Sequence, residues 1–305
     1  MPTLDEHFLA LHTPGTPLLM PNAWDPGSAK VLQALGFAAI ATTSGGFAAT
    51  LGRLDGCVTR EEALEHAAAL VDATTIPVSA DLENCFAHDP DDVAETVRLA
   101  LDAGLAGCSV EDFTRNPDDP IYPLDLAAAR VEAAADAAHA GPNRLVLTAR
   151  AENQIKNRQN LDDTIARLLR YQEAGADVLF APGVVAPDDL RRVLAAVDRP
   201  VNVLALPGAP PVSELAALGV ARISVGSAFA FAARVRAGRA RRRPHLGGQR
   251  VRVRRPRRAR RGGRGAAGQG HLRLLRGDER GSARRPPGLP HLIDAPSAGL
   301  ARRVS

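Results

Sequence analysis

Cysteine is scarce in this chain: Cys57, Cys85 and Cys108 are the only three among 305 residues. They cannot all pair with one another, and no CxxC spacing occurs. That argues against a disulfide framework and a cysteine-based zinc site, and it points to a reducing compartment, with cytoplasm the default. Long apolar runs are missing as well. No stretch approaches the roughly 18 apolar residues of a membrane-spanning helix, so no membrane association is expected. The opening residues, MPTLDEHFLALHTPG, lack the basic start and apolar run of a signal peptide. There is no GxGxxG fingerprint and no Walker loop. The nearest stretch, TTSGG at 42–46, is too short and wrongly spaced, which counts against a dinucleotide-binding or P-loop fold.

Lysine is absent from the end of the chain, although cations crowd there. Residues 234–305 carry 22 Arg and three acidic residues, whereas residues 1–233 carry 16 Lys or Arg against 31 Asp or Glu. The net charge of +4 thus hides an acidic body and a basic tail. The tail has no apolar period and is rich in Gly and Pro, so burial cannot repay the ordering of its backbone. Two regions are expected: a folded catalytic domain over 1–237 and a basic, disordered tail over 238–305. An Arg-rich arm can hold phosphates, and an inactive body with a nonspecific nucleic-acid-binding tail is one functional alternative. The tail lacks interleaved aromatics to stack on bases, so nucleic acid is not the expected partner. Its Arg, Gly, Ala and Pro content instead suggests a shifted reading frame in GC-rich coding DNA.

What the body does contain is alternation. Apolar strand candidates fall at 17–23, 37–44, 76–83, 106–112, 144–152, 176–182, 200–207 and 221–227. Helical runs lie between them, at 59–74, 90–104, 124–141, 160–175, 186–197 and 211–219, several with Thr or Asp at the start and Gly at the end. The strands are continuous apolar runs, as in parallel sheets covered on both faces. Eight such units over about 220 residues predict a (β/α)8 TIM-type barrel, with a doubly wound open sheet as the runner-up.

In a barrel the loops after the strands converge on one face. The polar residues expected there are Thr43, Ser44 and Gly45, then Asp81 and Glu83, then Glu111 and Asp112, then Arg150 and Glu152. The D-x-E spacing in PVSADLENC sends Asp81 and Glu83 to one side of a strand of period two, and Glu111 comes from the neighbouring strand. Three adjacent carboxylates repel unless a cation joins them. Their oxygens suit Mg2+, or Mn2+, held partly through water. Zinc is not indicated, since no His or Cys cluster accompanies them. Each acid has a plainer reading as a cap or ion-pair partner. Arg150 could pair with these acids or grip a substrate carboxylate. The stretch GGFAATLGRLDGC (45–57) reads as a long Gly-rich loop able to offer backbone N–H groups and to move as a lid, with Asp55 as an acid, base or metal-water ligand, or simply a turn former before Gly56.

The motifs MPNAWDPGSAKVL, TTSGGFAATLGRLDG, ADLEN, GCSVED and LTARAEN, followed by NVLALPG and GVARISVGS, resemble the isocitrate lyase/phosphoenolpyruvate mutase superfamily over about residues 15–233. The resemblance implies a Mg2+-dependent barrel acting on small α-keto or α-hydroxy carboxylates. It implies that Ser44 and Gly45 hold the substrate carboxylate, and that Asp81, Glu83 and Glu111 surround the metal largely through waters. Asp55 would stand near the reacting carbon or metal, and Arg150 would contact the substrate. It also implies a homo-oligomer, provided the helices after the eighth strand are intact. One segment departs from the pattern. Lyases of this family carry a Lys-Arg/Lys-Cys-Gly-His loop after the fourth-strand glutamate, where this chain reads EDFTRNPDDPIYP (111–123) with no Cys, Lys or His. The mutase and phosphonopyruvate-hydrolase branches place a Lys and an Asn there, and only Asn116 offers a match. The leading expectation is a lyase working through a pyruvate-like enolate, by C–C cleavage or decarboxylation, with mutase or hydrolase chemistry on phosphonopyruvate or phosphoenolpyruvate as the alternative.

Overall fold

The computed structural model describes residues 3–241. In chain order the elements are α1 (Leu4–Ala10), β1 (Leu18–Met20), α2 (Pro26–Ala34), β2 (Ile40–Ala41), α3 (Ser44–Thr50), α4 (Arg60–Ala73), β3 (Val78–Asp81), α5 (Pro90–Asp102) and β4 (Gly107–Glu111). They continue with α6 (Leu124–His139), β5 (Val146–Arg150), α7 (Leu161–Glu173), β6 (Val178–Phe180), α8 (Pro187–Ala196), β7 (Val201–Leu204), α9 (Val212–Leu218), β8 (Arg222–Ser224) and α10 (Ala228–Arg241). All eight strands run parallel, in the order β1-β8-β7-β6-β5-β4-β3-β2. The eight-unit barrel read from the sequence is the architecture found, with each strand inside its expected stretch but shorter. Among the described residues no helix is long and apolar enough to cross a membrane.

The remaining seam, between β1 and β2, is drawn together by a parallel bridge from Asn22 to Ala41. Ala23 N donates to Ala41 O at 2.7 Å and Ala41 N to Pro21 O at 2.9 Å. The Asn22 side chain reinforces it: Nδ2 donates to Thr42 O at 2.7 Å, and Oδ1 accepts from Val225 N and Gly226 N at 3.0 and 2.9 Å. One buried amide therefore ties the ends of β1, β2 and β8.

Most of the apolar core lies between strands and helices, where Leu70, Val97, Val131, Leu147, Leu168 and Leu190 are buried. A second cluster, with Phe8 from α1 against Leu18, Val146 and Val178, is built around that N-terminal helix. Gly107 is needed there, because a Cβ at that position would meet Phe8 Cε1 and Val146 O, each at 2.8 Å. The helices begin where local chemistry dictates. Asp25 and Ser28 form a reciprocal cap on α2 with Pro26 in its first turn, and Thr59 with Glu62 does the same for α4.

Two expectations need correction. The stretch 45–57 is not simply a loop: its first part is α3, capped by Thr43, whose hydroxyl accepts from Gly46 N at 3.4 Å. The strand carrying Asp81 ends at that residue, and Glu83 sits beyond it with φ of 51°, in the left-handed region. The period-two argument therefore does not govern Glu83. Its direction comes from a turn in which Cys85 and Phe86 also have positive φ. The tail expected over 238–305 lies, beyond Arg241, outside the described residues, and so do its proposed disorder and frame shift.

Candidate active site

Asp81, at the C-terminal end of β3, is held from three sides. Its own N–H donates to Thr42 Oγ1 at 2.8 Å, Ser44 N donates to its Oδ2 at 3.2 Å, and Arg150 Nη1 donates to its Oδ1 at 3.2 Å. Glu111 at the end of β4 meets the same guanidinium, with Nη2 3.2 Å from Oε2. Glu152, two residues past the end of β5, takes the closest grip, accepting Arg150 Nε at 2.9 Å and Nη2 at 2.5 Å on Oε1. Glu83 is brought alongside by backbone bonds, since its carbonyl accepts from Glu111 N at 3.0 Å and its N–H points at Asp81 Oδ1, 3.4 Å away. Arg115 Nη2 stands 3.0 Å from Glu83 Oε2 and also bonds Gly56 O. That guanidinium joins the β4–α6 loop to the loop bearing Asp55.

The electrostatics follow from burial. Loss of water pushes the Glu83 carboxyl up to about 7, with Arg115 opposing and Asp81 and Asp55 adding to the rise. Glu111 is raised well above the usual carboxylate range, again by burial first, with Arg150 working the other way. Burial opposes the charge of Arg150 too, but Glu152, Glu111 and Asp81 outweigh it and raise its pKa. Glu152 Oε2 is buried without a hydrogen-bond partner and has only Lys156 Nζ nearby, at 3.7 Å. Lys156 also stands over the Phe113 ring, 3.7 Å from its centroid.

These residues line two adjoining spaces. One, of about 190 Å3, is bordered by Ser44, Asp55, Asp81 and Arg150 and by the inward side chains Asn22, Ser79, Ser109, Asn202 and Arg222. The other, of about 360 Å3, is bordered by Ser44, Asp55, Glu83, Glu111, Arg150, Glu152 and Lys156. Gly45 is forced to be small, because a Cβ there would lie 2.8 Å from Ser227 Oγ and 3.1 Å from Asp55 Oδ2.

The sequence profile of phosphoenolpyruvate phosphomutase matches residues 8–243. The chain belongs to this family. Its curated relatives include lyases and a phosphorylmutase. An uncharacterized protein of Mycobacterium tuberculosis is 36% identical over 222 residues, covering 72% of this chain and 81% of that one. The probable 2-methylisocitrate lyase 2 of Corynebacterium glutamicum is 30% identical and covers 60% of each chain. Among solved structures, one assigned provisionally as a lyase/mutase from Burkholderia cenocepacia J2315 is 49% identical, with a TM-score of 0.76 over 80% of this chain and 89% of that one. The structure of 2,3-dimethylmalate lyase is 25% identical, with a TM-score of 0.71 over 83% and 92%. Phosphonopyruvate hydrolase, solved with oxalate and Mg2+, shares the fold at 24% identity and a TM-score of 0.70 over 79% and 87%.

For this member of the phosphoenolpyruvate phosphomutase family, the folded chain brings Ser44, Gly45, Asp55, Asp81, Glu83, Glu111 and Arg150 to one end of the barrel. Among the described residues no three His, Cys, Asp or Glu side chains are grouped as a direct metal cage. Asn116 is spent locally: its Oδ1 accepts from Asp118 N at 3.1 Å. Three participants were not singled out from the sequence. Arg115 and Lys156 sit in loops whose path only the fold defines. Arg222 carried a signal in principle, as a charge within the otherwise apolar ARISV stretch. Asp112, expected among the strand-end polar residues, serves the scaffold instead: it accepts from Tyr171 Oη at 2.6 Å, Arg167 Nη1 at 3.1 Å and Glu152 N at 2.8 Å.

Proposed function

We propose that the chain is a Mg2+-dependent lyase that cleaves or decarboxylates a small α-keto or α-hydroxy carboxylate. The observation that carries this is the group Asp81, Glu83, Glu111 and Glu152 around Arg150, with a buried orphan oxygen on Glu152 and two carboxyls pushed toward protonation. The acids outnumber the cations Arg150, Arg115 and Lys156 beside them, and their all-oxygen donor set fits a hard cation rather than zinc. Asp81, Glu83 and Glu111 would hold Mg2+, largely through waters, since they do not close on one point. Bound there, Mg2+ would supply a Lewis acid that draws electrons from the keto and carboxylate oxygens of a substrate.

The chain's own groups have separate tasks. Arg150 has five N–H donors, of which Glu152 and Asp81 take three, while Nη2 also faces Glu111 at 3.2 Å as an ion pair. It therefore fixes the acids in place and keeps one Nη1 hydrogen for a substrate oxygen. Ser44 and Gly45 would receive the substrate carboxylate beside Asp81. Asp55, bordering both spaces, would accept the proton of a substrate hydroxyl or return one to the product. Arg115, joined to Gly56 and Glu83, would keep water from the reacting carbon. With no Cys in the β4–α6 loop, decarboxylation or retro-aldol cleavage would rely on Asp55 to return the proton that the enolate takes up.

The test is turnover of oxaloacetate, methylisocitrate and phosphonopyruvate with and without Mg2+ or Mn2+. Metal-dependent turnover of one of the first two is expected. Turnover of phosphonopyruvate alone would move the assignment to mutase or hydrolase chemistry, and metal-independent rates would reject the site. Asp81→Ala should abolish turnover; a rate within about threefold of the parent would contradict its role.

A further inference from the structure

Deep in the barrel, Arg222 on β8 is a buried cation with no counter-ion among the described residues. Its residue is only 2% exposed. Nη1 donates to His12 Nε2 at 3.2 Å and Nη2 to Thr148 Oγ1 at 3.1 Å, while Nε is buried with no partner. Both acceptors are neutral. Burial first, and then Arg222, hold His12 down to about 3, and its Nδ1 faces the Phe8 carbonyl at 2.9 Å, which requires the proton on Nδ1 and leaves Nε2 to accept. Among the described residues no acidic side chain pairs with this guanidinium. The contrast with Arg150, which meets three carboxylates, is sharp.

A second observation comes from the neighbouring strand. Asn202, the Cα partner of Arg222 on β7, donates Nδ2 to Ser224 Oγ at 3.0 Å but leaves Oδ1 buried and unpartnered. Both orphan atoms belong to residues that line the 190 Å3 space, whose other end reaches Ser44, Asp55 and Asp81. That volume accommodates a molecule of a few carbon atoms but not a nucleotide or sugar phosphate. Unpaired buried donors and acceptors are rare, and a cavity that collects both a lone cation and a lone acceptor is built to receive a polar guest.

We infer that Arg222 forms an anion subsite at the inner end of the active-site cavity, and that it receives the distal carboxylate of a dicarboxylate substrate whose other end is held beside Ser44 and Asp81. The inference deepens the lyase reading and rests on it. It favours diacids that place one carboxylate at each end of the cavity over monocarboxylates, with four-carbon malate as the long probe and two-carbon oxalate as the short one. Asn202 Oδ1 would accept from a hydroxyl of the same ligand. Burial, followed by repulsion from Arg150, lowers the Arg222 pKa to about 9, as expected for a cation that awaits an anion.

The test compares the full chain with Arg222→Met and Arg222→Lys by calorimetric titration with malate and with oxalate, each in Mg2+, alongside thermal melting without ligand. Met replaces the aliphatic stem of the arginine without its guanidinium charge, so the Arg222→Met melting temperature should equal or exceed that of the parent. Its malate affinity should fall about tenfold or more while oxalate affinity stays within about twofold. Arg222→Lys should recover part of the malate affinity. Unchanged malate binding in Arg222→Met, or equal losses for both probes, would overturn the subsite. So would a destabilised Arg222→Met that binds malate normally, since that is the pattern of a purely structural arginine. Oxalate binding by the parent without any preference lost in the variant removes the subsite alone. Failure of the parent to bind either diacid removes the subsite and the metal-dependent reading together.

Discussion

Arg150 Nη2 lies 3.2 Å from Glu111 Oε2, and the two residues are Cα partners across β5 and β4. The same guanidinium meets Asp81 and Glu152, so a single cation organises acids from three consecutive strand ends. Arg150→Met should therefore lower stability by about 3–5 kcal/mol, because it strands buried carboxylates. Urea unfolding measures this, and saturating Mg2+ should return part of the loss. An unchanged midpoint would mean that the acids are neutral in the parent.

Glu83 gives a pH signature. Its folded pKa of about 7 lies above the ordinary 4.5, so between those values the folded chain keeps a proton that the unfolded chain releases. Its contribution to stability is thus fully present below pH 4.5 and is lost as pH rises to about 7, for a total of about 3 kcal/mol. In metal-free protein Glu83→Gln should flatten this segment of the stability curve, as read by denaturant midpoints at pH 5 and pH 8. In the parent, Mg2+ should oppose the decline by favouring the ionised carboxylate. A parent and variant with parallel curves would refute the burial argument.

The left-handed turn that aims Glu83 is anchored by a fully buried arginine from α6. Arg130 Nη2 donates to Asn84 O at 2.5 Å and Ala87 O at 2.9 Å, and Nη1 donates to Glu111 O at 3.2 Å, with the guanidinium 4.2 Å from the Tyr122 ring centroid. Arg130→Met removes a donor from each of three carbonyls and should destabilise by about 3 kcal/mol. Amide exchange over residues 83–87 should accelerate well beyond the rest of the barrel. Uniform acceleration would instead indicate global loosening.

Gly45 tests the substrate end of the site. A methyl group at this position would press on Ser227 Oγ and Asp55 Oδ2, and the Ser227 hydroxyl is already bonded to Thr43 Oγ1 at 2.9 Å. Gly45→Ala should cut kcat/KM about tenfold or more by displacing Asp55, with a melting temperature within a few degrees of the parent. Near-parental turnover would remove Asp55 from the reacting centre.

Much of this was legible without coordinates. Runs such as IPVSAD and RLVLTAR are largely continuous in apolar residues, as strands of a parallel sheet covered on both faces are, so eight of them separated by helical runs left few architectures open. Asp81, Glu111 and Arg150 were legible because they terminate strands, and strand termini in a barrel share one face. Glu83 was legible as a participant but not in its manner. Two residues past an acid at the end of a strand looks like strand geometry, yet the backbone there turns left-handed.

The sequence by itself determined the barrel, the family and the residues at the strand ends, because periodicity and strand termini are local properties that a short stretch specifies. Only in the folded chain does Arg115 reach Glu83, does Lys156 stand beside Glu152 and does Arg222 lie without an acidic partner among the described residues. Each of those facts depends on which groups meet after the barrel closes and water leaves, and no spacing along the chain encodes the distance between residues 83 and 115 or the absence of a partner for residue 222.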